Sequence, residues 1–250
     1  AAAACQLGGA EPALERLGAQ LQQHPTKPTV QPLESERLVR HPPGPWPGRV
    51  SRWAAGLGRG LALAPLAKQH LIDVNTIIVD AKSGVSGAGR SAKQPNHFPE
   101  LYDNFRAYNV ARHRHTPEIE QAVTDLSGEK TLINFTPHLV PMSRGILATC
   151  YATLKENVTE ELVDAAYEKL YGKEYFIRLL GRGAYPSTKN VRGSNFCDIA
   201  WHIDPRTHRV IVLSVIDNLV KGAAGQAVQN FNIACGFDEK MGLDFVPIYP

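Results

Sequence analysis

Two histidines and an arginine stand together at His113, Arg114 and His115, immediately ahead of Thr116-Pro117-Glu118. Imidazoles titrate near neutral pH and can pass protons, and a guanidinium between them suits an anionic substrate. The residues that follow read as a helix start, with Thr116 as N-cap, Pro117 at the first helical position and Glu118 in the first turn. The positive end of such a helix also favours negative charge. A solvated basic turn would look the same, because a histidine alone is no evidence of catalysis.

A second stretch with chemical potential lies upstream. Ile77, Ile78 and Val79 form a β-branched run, which predicts a strand over 75–80. The sequence then passes through DAKSGVSGAGR, a small-residue loop containing Ser83, Gly84, Ser86, Gly87, Ala88 and Gly89. Residues without bulky side chains let backbone N–H groups approach an anion or a flat ring, although ordinary turns are built from the same types. Further on, TPHLVPMSRG places His138, Pro141, Arg144 and Gly145 in a predicted loop between strands. Arg144 there either pairs an anionic group bidentately or caps a sheet edge. The stretch SVIDNLVKGAAGQAVQNFNIACGF runs from a strand through Asp217 and Asn218 into a helix of small residues, which means close packing or a cofactor contact.

The elements that must position these groups follow from periodicity. Helices are predicted over 61–72, within FPELYDNFRAY, over 117–126 and over 159–171, and strands over 131–135, 145–154, 175–179, 195–203 and 209–216. The 159–171 helix has Thr159 as its start, Glu160 and Glu161 in the first turn, and Leu162, Ala165, Ala166 and Leu170 on one face. Asp204-Pro205-Arg206-Thr207 reads as a hairpin turn. Strands outnumber helices, so the expected class is α+β, a mixed, largely antiparallel sheet covered by helices.

Ahead of about residue 60 the sequence changes character. Residues 1–66 hold half of the 18 prolines, and RHPPGPWPGRVSRWAAGLGRG mixes arginine with proline, glycine and tryptophan. One helix is predicted over 11–23, and the remainder reads as an irregular arm. No strand followed by GxGxxG is present, so no complete dinucleotide-binding unit is visible. The net charge of +3 and the lack of a long basic run argue against nucleic acid, and no apolar stretch is long enough for a membrane helix. The N-terminus lacks a secretory pattern, and a soluble cytoplasmic protein is expected. Cys5, Cys150, Cys197 and Cys235 are too scattered for a zinc site or a disulfide framework.

Taken in order, DAKSGVSGAGR, HRHTPEIEQ, FTPHLVPMSRGIL, VRGSN and DNLVKGAAGQAVQN resemble the N-acetyl-gamma-glutamyl-phosphate reductases of arginine biosynthesis and their relatives, the aspartate-semialdehyde dehydrogenases. The resemblance covers about residues 61–250. It implies NADP-dependent reduction of N-acetyl-L-glutamyl 5-phosphate to the 5-semialdehyde through a cysteine thioester, in a homo-oligomer, either dimer or tetramer. It implies that His113 or His115, with His113 favoured, is the acid/base. Ser83, Gly84, Ser86, Gly87, Ala88, Gly89 and Asn218 are then cofactor contacts, and Arg112, Arg114, Glu118 and Arg144 face the substrate; no metal is implied. Residues 61–216 become a substrate and oligomerisation domain, and 217–250 a helix and tail that pack on a Rossmann domain.

One departure matters. Family members carry their nucleophile in NPGCYPT, and counting back from Lys68 puts that position near Ala54, where no cysteine stands. Cys150 and Cys197 fall in predicted strands, and Cys235 ends the last predicted helix. Residues 1–60 are therefore expected to be a truncated or rearranged form of the family's N-terminal half. The resemblance then implies either a reductase without its usual nucleophile or a non-catalytic oligomerisation or regulatory module derived from one.

Overall fold

The structure is a computed structural model that describes residues 58–248 apart from positions 90 and 92. The expected helix over 11–23, the irregular arm and position 54 lie outside the described residues. Seven strands form one sheet: β1 (Ile72–Gly84), β2 (Arg106–Ala107), β3 (Asn134–Val140), β4 (Ile146–Leu154), β5 (Ile177–Arg182), β6 (Cys197–Asp204) and β7 (Arg209–Ile216). Their order is β2-β3-β1-β4-β7-β6-β5. The β1/β3 and β5/β6 pairs are parallel and the other neighbours antiparallel, which is the mixed α+β sheet expected from the sequence.

Helix α1 (Gly58–Lys68) packs against both α3 (Thr116–Ser127) and α4 (Glu160–Tyr171), and lies against β1, β4 and β7. Leu61, Ala62, Leu63, Ala64, Leu66 and Ala67 are each at most 2 % exposed, so α1 is buried on every side. A helix apolar all round belongs inside a core, and its alanines let it sit close to the sheet. Pro65 lies within this helix and cannot donate the N–H that the Leu61 carbonyl needs. Tyr171 of α4 supplies the missing donor, its hydroxyl reaching the Leu61 oxygen at 2.7 Å, and Tyr167 donates to the Ala62 oxygen at 2.7 Å.

Several boundaries differ from the expectation. Strand β1 runs past Asp80 to Gly84, because β3 and β4 pair it on both sides as far as Gly84 and Ser83 respectively. His138 lies inside β3, opposite Lys82 and Ala107, and not in a loop. The FPELYDNFRAY segment is one turn, α2 (Phe98–Leu101), followed by β2. Helix α3 begins at Thr116 with His115 as its N-cap, and no side chain caps it. In α4 the buried face is Val163, Ala166, Tyr167 and Tyr171, while Leu162 is exposed. The two tyrosines turn inward onto the Leu61 and Ala62 carbonyls of α1, the first of which Pro65 leaves without a helical donor. Thr159 does cap α4, accepting the Leu162 N–H at 3.4 Å.

After β7 comes a π-helical turn (Val220–Ala224) and then α5 (Gly225–Ala234). Helix α5 is inverted: it buries Gln226, Gln229 and Asn232, and exposes Val228 and Phe231.

Candidate functional site

Three segments far apart in sequence are fastened together at the carboxyl end of β1. The backbone N–H groups of Gly84, Val85 and Ser86 donate to the oxygens of Gly145, Met142 and Ser143 at 2.8, 2.9 and 3.1 Å. The Ser86 hydroxyl donates to the same Ser143 oxygen at 2.5 Å. Asn218 joins both loops, its Nδ2 donating to Ser86 Oγ at 2.9 Å and its Oδ1 accepting the Gly145 N–H at 2.8 Å. Gly84 has to be glycine, because a Cβ would stand 2.9 Å from the backbone of Ser143 and Arg144. Both ends of the Asn218 amide are thus held by protein. Gly87, Ala88 and Gly89 are exposed at the far side of this turn, and Ser83 is buried at its base.

Asp217 is the second half of the clasp and is fully buried. Its Oδ1 accepts the N–H groups of Leu219 at 2.8 Å and Val220 at 3.1 Å, starting the π-helical turn. Its Oδ2 accepts the Gly193 N–H at 2.7 Å and Arg144 Nη1 at 3.2 Å. Asp217 escaped the sequence reading as a functional residue. An aspartate two and three residues ahead of helical N–H groups is a capping pattern, and that signal could have found it.

His113 and His115 sit elsewhere, in the turn that leads into α3. The His113 ring packs edge-on against Tyr108, His115 and Phe135, with centroids 5.6, 4.8 and 5.2 Å away. Its Nδ1 accepts the backbone N–H of His115 at 3.2 Å, so the neutral ring carries its proton on Nε2. Asn109 and Ala111 adopt left-handed φ of +47° and +57°, backbone strain in the turn that delivers His113. Arg112, Arg114 and Glu118 are exposed beside it. Phe135 pairs with Val79, five residues short of Gly84, which is about 16 Å along an extended strand. The structure therefore brings Ser83–Gly89, Arg144 and Asn218 into one cluster, and the histidines with Arg112, Arg114 and Glu118 into another. Tyr108 and Phe135 were missed because aromatic residues in a turn and a strand carry no chemical signature.

The thiols are a poor match for a nucleophile. Cys150 and Cys197 are fully buried thiols, and Cys235 is exposed at the end of α5. Burial pushes the Cys197 thiol up to about 11, against the opposing pull of the Ser214 hydroxyl and Lys221. Lys221 itself is 2 % exposed and is held by Gln229 Oε1 at 2.7 Å. Its burial brings the ammonium down to about 8, with Cys197, Glu239 and Glu174 pulling it back up. Among the described residues no group of three or more His, Cys, Asp or Glu is placed to hold a metal ion. None of the described helices is long and apolar enough to cross a membrane.

Residues 58–218 match a family model described as semialdehyde dehydrogenase, dimerisation domain. A protein of Desulforamulus reducens named N-acetyl-gamma-glutamyl-phosphate reductase is 57 % identical over 190 residues, 76 % of this chain and 55 % of that protein. One of the same name from Syntrophobacter fumaroxidans is 51 % identical over 218 residues, 87 % of this chain and 60 % of its own length. The chain thus spans little more than half the length of these curated relatives. Among solved structures, a probable aspartate-semialdehyde dehydrogenase from Pseudomonas aeruginosa superposes with a TM-score of 0.57 at 21 % identity, over 84 % of this chain and 70 % of that one. Aspartate semialdehyde dehydrogenase II from Vibrio cholerae gives 0.56 at 18 %, over 70 % and 58 %. These two likenesses show the fold.

Proposed function

Because this chain belongs to the semialdehyde dehydrogenase family through its dimerisation domain, we propose that it forms the substrate- and subunit-contacting part of a reductase. The proposed reaction follows the name its curated relatives carry. N-acetyl-L-glutamyl 5-phosphate is reduced to N-acetyl-L-glutamate 5-semialdehyde with release of phosphate, in the cytoplasm and by a homo-oligomer.

The observation that carries this reading is the His113 ring, whose tautomer is set by the His115 backbone N–H. A neutral ring held at Nδ1 presents a defined N–H at Nε2, a fixed donor for a substrate oxygen on which negative charge develops. Arg112 and Arg114 flank it in the chain and, with Glu118, are exposed as partners for substrate. Arg144 meets an anionic oxygen at the other cluster, and the separation between the two leaves room for an extended substrate with a cofactor ring. The Gly87–Ala88–Gly89 backbone, bare of large side chains and braced by Ser86 and Asn218, fits a nicotinamide. NADPH bound there supplies hydride. The inverted face of α5, with Val228 and Phe231 exposed, suits packing by residues 217–250 on a cofactor domain.

A second reading is favoured by the buried thiols, since Cys150 and Cys197 cannot reach a substrate. On that reading the chain is an oligomerisation or regulatory module without chemistry of its own. One assay separates the two: purified protein with N-acetyl-glutamate semialdehyde, phosphate and NADP, followed at the absorbance of reduced nicotinamide. Turnover lost on His113→Asn supports the enzyme. A flat trace from a folded, oligomeric sample supports the module.

A further inference from the structure

We propose that Asp217 is a positioning residue that presents the Arg144 guanidinium, pre-oriented, to an anionic oxygen of carboxylate or phosphate type. The inference rests on the reading of Arg144 as a substrate contact given above, and needs no turnover.

Arginine recognises carboxylates and phosphates through a planar fork, and the recognition sharpens when the fork is held before the ligand arrives. Arg144 is held at both ends. Its main chain lies within the 142–145 segment that is bonded to Gly84, Val85 and Ser86 on one side and, through the Gly145 N–H, to Asn218 on the other. Its side chain is held at Nη1 by Asp217. Among the described residues Asp217 is the one side chain that Arg144 bonds, so Nη2 and Nε keep their hydrogens for a ligand. The Arg144 side chain is 38 % exposed while that of Asp217 is 0 %, which places the anchor inside and the cation at the surface.

A carboxylate next to an arginine could instead simply cancel its charge. The backbone contacts argue otherwise. Gly193, Leu219 and Val220 each donate an N–H to Asp217, so much of its negative charge is already satisfied by fixed dipoles. The tail extends the same frame: the Ile248 N–H donates to the Arg192 oxygen at 2.8 Å, and a Cβ on Gly193, whose φ is +74°, would fall 2.8 Å from the Ile248 side chain. The 192–193 turn, Asp217 and Arg144 therefore form one contiguous brace. The two roles predict opposite signs. A pure counter-charge weakens anion binding, so removing it tightens the complex; a positioning anchor strengthens binding, so removing it loosens the complex.

The test is isothermal titration of the whole 250-residue chain with N-acetyl-L-glutamate and, separately, with inorganic phosphate, alongside thermal melts. The arm that saturates identifies the oxygen source as carboxylate or phosphate. The expected result is millimolar binding of one probe, about tenfold weaker in Asp217→Asn and absent in Arg144→Gln, because the aspartate acts through the arginine. Unchanged or tighter binding by Asp217→Asn overturns the proposal, as does a wild-type chain that binds neither probe. If Asp217→Asn does not fold, Arg144→Lys decides: it keeps the charge and loses the fork, so tenfold weaker binding supports a positioned guanidinium and wild-type affinity refutes it. Failure of the reductase assay with this binding intact would remove the enzymatic reading and leave Asp217's role standing.

Discussion

The hydroxyl of Tyr171 should matter far more than that of Tyr167, although both donate at 2.7 Å to neighbouring carbonyls of the same helix. Within α1 the Leu61 oxygen would be served by the N–H four residues on, and that residue is Pro65. Ala62 is served by Leu66 in the ordinary ladder. Tyr171→Phe thus leaves a buried carbonyl with no donor, whereas Tyr167→Phe removes a second donor from one that keeps its first. The rings are 1 % and 0 % exposed, so water is poorly placed to substitute, and phenylalanine preserves the packing. An unsatisfied buried acceptor costs about 1–3 kcal/mol, and a lost supplementary bond about 0.5–1.5 kcal/mol. The cause can be isolated with Pro65→Ala, which returns an N–H to the Leu61 oxygen. In that background Tyr171→Phe should cost about 1 kcal/mol less than in the parent, a coupling of the size that double-mutant cycles resolve. Urea unfolding followed by far-UV circular dichroism, with m-values compared across the four proteins, gives the cycle. Equal costs for the two tyrosines, or strict additivity of Pro65→Ala with Tyr171→Phe, would refute the reasoning.

Two other outcomes follow from the same structure. Lys221 is a base whose folded value, about 8, lies below its ordinary 10.5, so between those values the unfolded chain binds more protons and stability rises with pH. Below about pH 8 both states hold the proton and the buried ammonium is a constant cost. Cys197 acts oppositely above pH 9, because its folded value is raised to about 11 and the unfolded thiol ionises first. Between pH 8 and 9 stability should therefore rise by about 1 kcal/mol, and Lys221→Met should flatten that rise in denaturant titrations. Gly84→Ala forces a Cβ to within 2.9 Å of the Ser143 and Arg144 backbone; it should cost about 1–3 kcal/mol and weaken anion binding at Arg144, and an unperturbed variant would show that the two loops can part freely.

Much of the scaffold is legible in the residues themselves. The alternation of β4 and β7, the turn after Asp204 and the Thr159 cap of α4 are local signals, and each is realised within a few residues. The face that α4 buries is not legible, because tyrosines score as ambivalent residues until a partner with an unmet carbonyl is known. The same applies to α5, where Gln229 faces inward to meet Asn195, Lys221 and Glu239, and Asn232 faces inward to donate to the Glu239 and Met241 carbonyls.

The candidate site divides along the same line. Residue types alone identify the Ser83–Gly89 turn, Arg144, Asn218 and the two histidines as chemically capable groups, since glycine, guanidinium and imidazole carry their chemistry wherever they stand. That the first three form one clasp, with Asp217 as its anchor, and that His113 packs instead beside Phe135, whose β1 partner Val79 is five residues from Gly84, was decided by tertiary structure. The bond between Asn218 and Ser86 joins residues 132 positions apart, and β7 reaches β1 only through β4. Periodicity reports which side of its own element a residue occupies; the order in which strands pair determines which residues meet.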